Sequence, residues 1–108
     1  MVKQGDIIKI NFNPQVGHEQ SGYRPACIVS NRVLNNHSVM YYCCPITNTG
    51  HIFGYELVGY KDIQGFVLID QLKSVDLTKR KYKHITHLND KDLKIILERI
   101  NMLLEMED

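Results

Sequence analysis

Apolar residues fall at helical spacing in only one stretch of this chain, and that stretch is the last. Leu93, Ile96, Leu97, Ile100, Leu103 and Leu104 line one face of a helix. Asn89 is placed to cap its N-terminus, and Asp90 and Asp92 fall in the first turn, where negative charge suits the helix dipole. Glu105, Glu107 and Asp108 sit at the unfavourable end, so the last turn is expected to fray unless a partner holds it. Every earlier apolar run is short and bounded by turn residues. Short strands followed by one helix predict a mainly β, α+β protein: a small, partly open barrel with the helix packed on it. The length of 108 residues leaves room for one domain, with the barrel expected over 5–88 and the helix over 90–105.

The strands can be read one by one. Asp6 to Phe12 alternates, with Ile8, Ile10 and Phe12 on one face and Ile7, Lys9 and Asn11 on the other, which predicts a strand with one buried face. Asn13-Pro14 ends it. A polar loop runs from Gln15 to Tyr23 and is longer than an ordinary hairpin connection, as functional loops often are. Pro25 opens a strand from Ala26 to Ser30, and Asn31 to His37 reads as a helical turn or a loop. Val39 to Ile46 is continuously apolar, which predicts a strand buried on both faces, with Pro45 removing a ladder donor near its end. After the turn Thr47-Asn48-Thr49-Gly50, further short strands are expected from Ile52 to Val58, Phe66 to Ile69, Leu72 to Leu77 and Lys83 to His87.

Composition excludes several classes. The apolar fraction of 44% and charged fraction of 23% are those of an ordinary globular protein, not of a disordered chain. The longest apolar run, 39–46, is too short to span a membrane, and the start Met1-Val2-Lys3-Gln4-Gly5-Asp6 lacks the apolar core of a secretory signal, so a cytoplasmic location is expected. Cys27, Cys43 and Cys44 have no metal-type spacing, and buried reduced thiols are the expectation. The five histidines, His18, His37, His51, His84 and His87, are scattered, and His84 and His87 fall on opposite faces of a regular strand. No phosphate-binding glycine loop, H-E-x-x-H or G-x-S-x-G motif occurs.

The net charge of +1 hides an asymmetry. Residues 1–88 carry 10 Lys and Arg against 6 Asp and Glu, whereas residues 89–108 carry 3 against 6. Lys73, Lys79, Arg80, Lys81 and Lys83 face only Asp76 in the local sequence. On charge alone such a cluster reads first as a solvated strand edge and second as an anion-binding surface. Two polar segments beside strands remain as candidate chemistry: Gly17 to Ala26, which holds His18, Glu19, Gln20 and Arg24, and Pro45-Ile46-Thr47. Taken alone, the first segment is also what a surface loop with a Glu19–Arg24 ion pair looks like.

The sequence resembles a known family at this point. The resemblance is carried by Gly5-Asp6-Ile7, Phe12-x-Pro14, Gly17-His18-Glu19-Gln20-x-Gly22-x-Arg24-Pro25-Ala26, Pro45-Ile46-Thr47, and Gly65-x-Val67-Leu68-x-Asp70-Gln71 followed by Asp76. Together these blocks are similar to the MazF/PemK toxins of bacterial toxin–antitoxin modules, over nearly the whole chain. The resemblance implies an SH3-like barrel and a homodimer. It implies metal-independent, sequence-specific endoribonuclease cleavage of single-stranded RNA, leaving a 2′,3′-cyclic phosphate or 3′-phosphate and a 5′-hydroxyl. It also implies inhibition by a cognate antitoxin, with operator DNA bound only by the toxin–antitoxin complex, and it implies no cofactor.

Residue by residue, Arg24 matches the family's catalytic arginine, and its planar fork suits the equatorial oxygens of a phosphorane. Thr47 matches the catalytic threonine. Glu19, His18 and Asp70 are the implied proton handlers, with Glu19 ranked ahead because it shares a loop with Arg24. Asp70 and His18 match one branch of the family, but that branch has an arginine where this chain has Leu68, so Arg24 and Thr47 come first. Gln20 and Gln71 are expected to shape the site or contact bases. Lys73 stands where many relatives have arginine and loses the bidentate geometry. The resemblance also turns Lys79, Arg80, Lys81 and Lys83 toward RNA backbone or an acidic antitoxin tail. Tyr23, Phe53 and Tyr55 are candidates for stacking on splayed bases, each weighed against plain core or surface packing.

Two other readings share the fold. One is a non-catalytic, gyrase-poisoning toxin, which lacks the His-Glu-Gln…Arg-Pro block. The other is an inactive module that acts only through antitoxin and DNA.

Overall fold

A computed structural model describes residues 1–13, 17–18 and 22–108. Seven strands and two helices follow one another: β1 (Asp6–Asn11), β2 (Tyr23–Ile28), α1 (Arg32–Asn35), β3 (Met40–Thr47), β4 (Gly54–Leu57), β5 (Gly65–Leu68), β6 (Lys73–Asp76), β7 (Tyr82–His87) and α2 (Asp90–Leu104). The strand order is β4-β5-β3-β2-β1-β7, with β6 paired to β3, and every pairing is antiparallel. The mainly β class with a C-terminal helix is as expected, and the sheet stays open.

The long strand β3 organises the sheet because its far edge serves two partners. Ile46 and Thr47 pair with Val67 and Phe66 of β5, while Met40 to Cys43 pair with Asp76 to Lys73 of β6. Between these registers a 3-10 turn, Ile69–Gln71, interrupts the ladder. The sequence supplies the reason. Val29 N donates to Tyr42 O and Tyr42 N donates to Ser30 Oγ, so Tyr42 faces β2. Strand alternation turns position 45 to the other edge, where Pro45 has no N–H to offer. The ladder is interrupted where its donor is missing.

The sheet is buried on two sides. Ile8, Ile10 and Phe12 join Ala26, Ile28, Cys43 and Val75 in one core. Ile7, Cys27, Cys44, Val67 and Ile69 join Ile96 and Ile100 of α2 in the other. The single buried face expected for β1 is therefore corrected, since Ile7 is fully enclosed beneath the helix. The double burial expected for β3 holds only from Cys43 to Ile46, while Tyr42 is exposed.

Helix α2 starts as the sequence predicts, with Asn89 Oδ1 accepting from Asp92 N at 2.8 Å. It stays helical to Leu104, where Met102, Leu103 and Leu104 are exposed. Asp92 also accepts from the hydroxyls of Tyr55 and Tyr60, which fastens the helix to the sheet. Asn31 to His37 resolves into the short helix α1, capped by Asn31 Oδ1 on Val33 N. No helix is long and apolar enough to cross a membrane among the described residues.

His84 and His87 do not part to opposite faces as a regular strand would place them. The β1–β7 register slips between Ile7 and Ile8, so that Ile7 pairs with Thr86 and Ile8 with His84. This bulge brings both imidazoles to one carboxylate: His87 Nδ1 lies 2.8 Å and His84 Nε2 3.4 Å from Asp6 Oδ1.

Candidate active site

Two neighbouring strand ends bring the leading candidates together. Arg24 lies on β2, opposite Ile10 of β1, and Thr47 is the last residue of β3. Both are half-buried, and both border the same two adjoining depressions. One, of about 410 Å³, also meets Lys9, Tyr23, Asn48 and Gln64. The other, of about 520 Å³, extends past Asn48 and Thr49 to His51 and Leu68. Arg24, Thr47 and Asn48 belong to both, so the two form one groove with the guanidinium and hydroxyl residues at its middle.

The backbone at Thr47 is held closely. Gly65 on β5 has φ +124°, and a Cβ there would lie 2.5 Å from Thr47 O. Only glycine allows this approach, so the Gly65 of the sequence motif sets the distance between β5 and Thr47. Thr47 Oγ1 in turn accepts from Thr49 N at 3.4 Å, which starts the turn toward His51.

The other candidates distribute around this centre. Asp70 sits exposed in the 3-10 turn, with its Oδ1 3.9 Å from His51 Nδ1. Gln71 is the half-buried end of the same turn. His18 is exposed beside Gly17. Glu19 and Gln20, and with them the Glu19–Arg24 ion pair, lie outside the described residues. Lys73 lies on β6 with its Nζ 5.0 Å from the centre of the Phe12 ring. Lys79 and Arg80 border a separate depression of about 440 Å³, together with Asn11, Asn13, Asp76 and Lys81. Arg80 Nη1 donates to Asn11 O at 2.8 Å and to Asn13 O at 3.0 Å, so this guanidinium braces the exit of β1.

The aromatic candidates divide. Tyr23 and Phe53 are partly exposed, and Lys9 Nζ lies 5.0 Å from the Tyr23 ring centre. Tyr55 is no open platform. Its hydroxyl bonds Asp92 and Arg99 lies over its ring, so it belongs to the helix contact.

Lys9, Gln64 and His51 border the groove without having been singled out from the sequence. Lys9 had a signal, since it falls on the polar side of β1. His51 had a weaker one, four positions beyond Thr47 across a turn. Gln64 had none that separates it from loop polarity.

The sequence and the fold both have known relatives. The sequence profile of PemK-like, MazF-like toxins of type II toxin–antitoxin systems matches residues 3–104. The chain belongs to this family. The endoribonuclease toxin MazF of Escherichia coli strain K12 is 33% identical over 101 residues, covering 93% of this chain and 91% of that protein. The crystal structure of MazF from Deinococcus radiodurans superimposes with a TM-score of 0.88 at 30% identity, covering 97% of each chain. A MazE–MazF complex from the same organism matches with a TM-score of 0.82 at 30% identity, over 98% of this chain and 97% of that one. As in these relatives, the fold of this family member is mainly β with a C-terminal helix.

Proposed function

We propose that this family member is the toxin of a type II toxin–antitoxin module and a metal-independent, sequence-specific endoribonuclease acting on single-stranded RNA. The observation that carries the reading is the pairing of Arg24 and Thr47 at the centre of one open groove, in a chain 33% identical to an endoribonuclease toxin. The RNA supplies its own nucleophile, the 2′-hydroxyl. What the protein must add is charge stabilisation for a crowded phosphorane and proton transfer at its two ends. Arg24 offers two parallel N–H donors to the phosphorane oxygens, and the Thr47 hydroxyl donates to the same phosphate. Glu19 is the proposed acceptor of the 2′-hydroxyl proton. Gln20 and Gln71 contact bases, His18 supports the site, and Lys73 and Lys79 neutralise RNA backbone or an acidic antitoxin segment.

The partner readings follow the same relationship. A MazE-type antitoxin binds and inhibits the protein, and the resulting complex, not the toxin alone, binds operator DNA. Two copies form a homodimer. An apolar groove of about 580 Å³ that includes Val33, Leu34, Tyr42, Leu97 and Leu104 supports this, because a free protein leaves those residues partly open to water. The protein works in the cytoplasm, where its RNA is.

The decisive experiment is RNA cleavage by purified protein in excess EDTA, with Arg24→Ala and Thr47→Ala alongside. Cleavage that survives chelation and falls by about 10²-fold or more in each variant supports the reading. Loss of cleavage on chelation, or normal cutting by both variants, refutes it.

A further inference from the structure

We propose that His51 is a catalytic residue of this groove, the proton donor to the departing 5′-oxygen, with Asp70 behind it as a positioning residue. The inference rests on the endoribonuclease reading. It starts from an inventory of the depression that holds Arg24 and Thr47. Among the described residues, the side chains around it are those of Arg24, Thr47, Asn48, Thr49, His51 and Leu68. Leu68 carries no transferable proton. Arginine keeps its proton at any accessible pH, and threonine and asparagine are poor acids. Among the described residues, the imidazole of His51 is the one side chain there of a type that gives up a proton near neutrality.

The contacts of His51 decide its direction. Nδ1 is flanked by two groups: Phe53 N, 3.3 Å away, and Asp70 Oδ1, 3.9 Å away. When the ring is neutral, Nδ1 accepts from the Phe53 N–H and the ring proton sits on Nε2. When the ring is charged, Nδ1–H is drawn to Asp70 and Nε2 again carries a proton. In both states the nitrogen left for a ligand is a donor. This arrangement suits protonation of a leaving group and does not suit abstraction from the 2′-hydroxyl.

The step balances as follows. The 2′-oxygen forms a bond to phosphorus as its proton passes to the base proposed above, Glu19. The bond from phosphorus to the 5′-oxygen breaks, and its electron pair stays on that oxygen. The Nε2 proton of charged His51 moves to the same oxygen, which leaves as a hydroxyl. His51 is left transiently neutral with its remaining proton on Nδ1, facing Asp70, and exchange with solvent returns the proton to Nε2 before the next turnover. Asp70 is the charged group found beside the ring among the described residues, and Arg24 borders the same depression.

The test compares two linkages at the site that the wild-type protein cuts in a long transcript of mixed sequence. One oligonucleotide carries the natural 5′-oxygen. The other carries sulfur at that bridging position, and a thiolate leaves without being protonated. On the natural linkage, His51→Gln is expected to lower kcat by about 10²-fold or more. On the sulfur linkage it is expected to cut within about threefold of wild type, while Arg24→Ala stays defective on both. Asp70→Asn is expected to lower kcat on the natural linkage by less than His51→Gln does, and to cut the sulfur linkage within about threefold of wild type. A His51→Gln protein that cuts the natural linkage normally overturns the proposal, as does a defect that sulfur leaves in place. Wild-type protein that cleaves nothing overturns the endoribonuclease reading and His51 with it. Wild-type cleavage abolished by Arg24→Ala and untouched by His51→Gln overturns His51 alone.

Discussion

His87 Nδ1 lies 2.8 Å from Asp6 Oδ1, across the β1–β7 ladder, and the carboxylate it meets is 2% exposed. Burial by itself raises the pKa of Asp6, but the hydrogen bonds from His87, from Lys3 N and from His84 together outweigh it and hold the group below its ordinary value. A carboxylate more acidic in the folded chain stabilises fully above its unfolded value of about 3.9 and loses that contribution as pH falls through the folded value. Thermal unfolding followed from pH 7 downward is therefore expected to show stability falling below about pH 4. Asp6→Asn should cost about 2 kcal/mol at neutral pH and flatten the acid limb. An unchanged acid limb in this variant would assign the acid sensitivity elsewhere.

Asp92 gives the opposite pH dependence through its tyrosines. The Tyr60 hydroxyl is pushed up to about 12, first by burial and then by its hydrogen bond to Asp92. Tyr55 is raised above its ordinary value of 10.0, first by its hydrogen bond to Asp92. Groups that hold their protons more tightly when folded stabilise below the unfolded value and lose that stabilisation as pH rises through the folded one. Ultraviolet titration should show two of the six tyrosines ionising late, with α2 loosening between about pH 10 and 12. Tyr60→Phe should cost about 1–2 kcal/mol at neutral pH and leave one late tyrosine.

The three thiols are expected to be inert in the native protein. Cys27 pairs with Cys44 across β2 and β3, and all three cysteines are fully buried. Burial pushes Cys43 and Cys44 up to about 12 and raises Cys27 well above its ordinary value. The thiolate is the reactive form, so a thiol reagent at neutral pH should label none of them until denaturant is added. Rapid labelling of native protein at any one site would show that the strands open far more often than their burial implies.

Gly65 and Gly59 both have positive φ, but only one is crowded. A Cβ at Gly65 would meet Thr47 O at 2.5 Å, whereas one at Gly59 would meet nothing within 4 Å. Gly65→Ala is expected to cost at least about 2 kcal/mol, because strain and collision add, and Gly59→Ala only about 1 kcal/mol. Cleavage should fall in the first variant, since Thr47 must move, and stay intact in the second. Denaturant melts with an RNA assay on both proteins check the contrast.

The elements were legible wherever local pattern and local chemistry agree. Asn89 followed by two acidic residues and a helical stripe could hardly be anything but the start of α2. The glycine-flanked block ending in Arg24-Pro25 and the Pro45-Ile46-Thr47 segment marked the two strands that meet at the groove. What the sequence hid was relation across strands. The slip between Ile7 and Ile8 brings His84 and His87 together, and a bulge of one residue leaves no compositional trace. The burial of Ile7 depends on α2 crossing that face, a contact made between distant parts of the chain. His51 was hidden for the same reason, because its meaning lies in Asp70, which reaches it through the 3-10 turn opposite Pro45.

The brace at the exit of β1 has a consequence for how such a protein changes its target. Phe12 N donates to Gly22 O at 2.8 Å, Gly22 N donates to Asn13 Oδ1 at 2.9 Å, and Arg80 grips the carbonyls of Asn11 and Asn13 from the far side. Departure and return of the chain are thus tied by groups outside the span they enclose. Whatever sequence stands between Asn13 and Gly22 can be rewritten without asking the sheet to refold. Selection can then act on recognition at positions of that span other than Glu19, while the roles proposed for Glu19, Arg24 and Thr47 are kept.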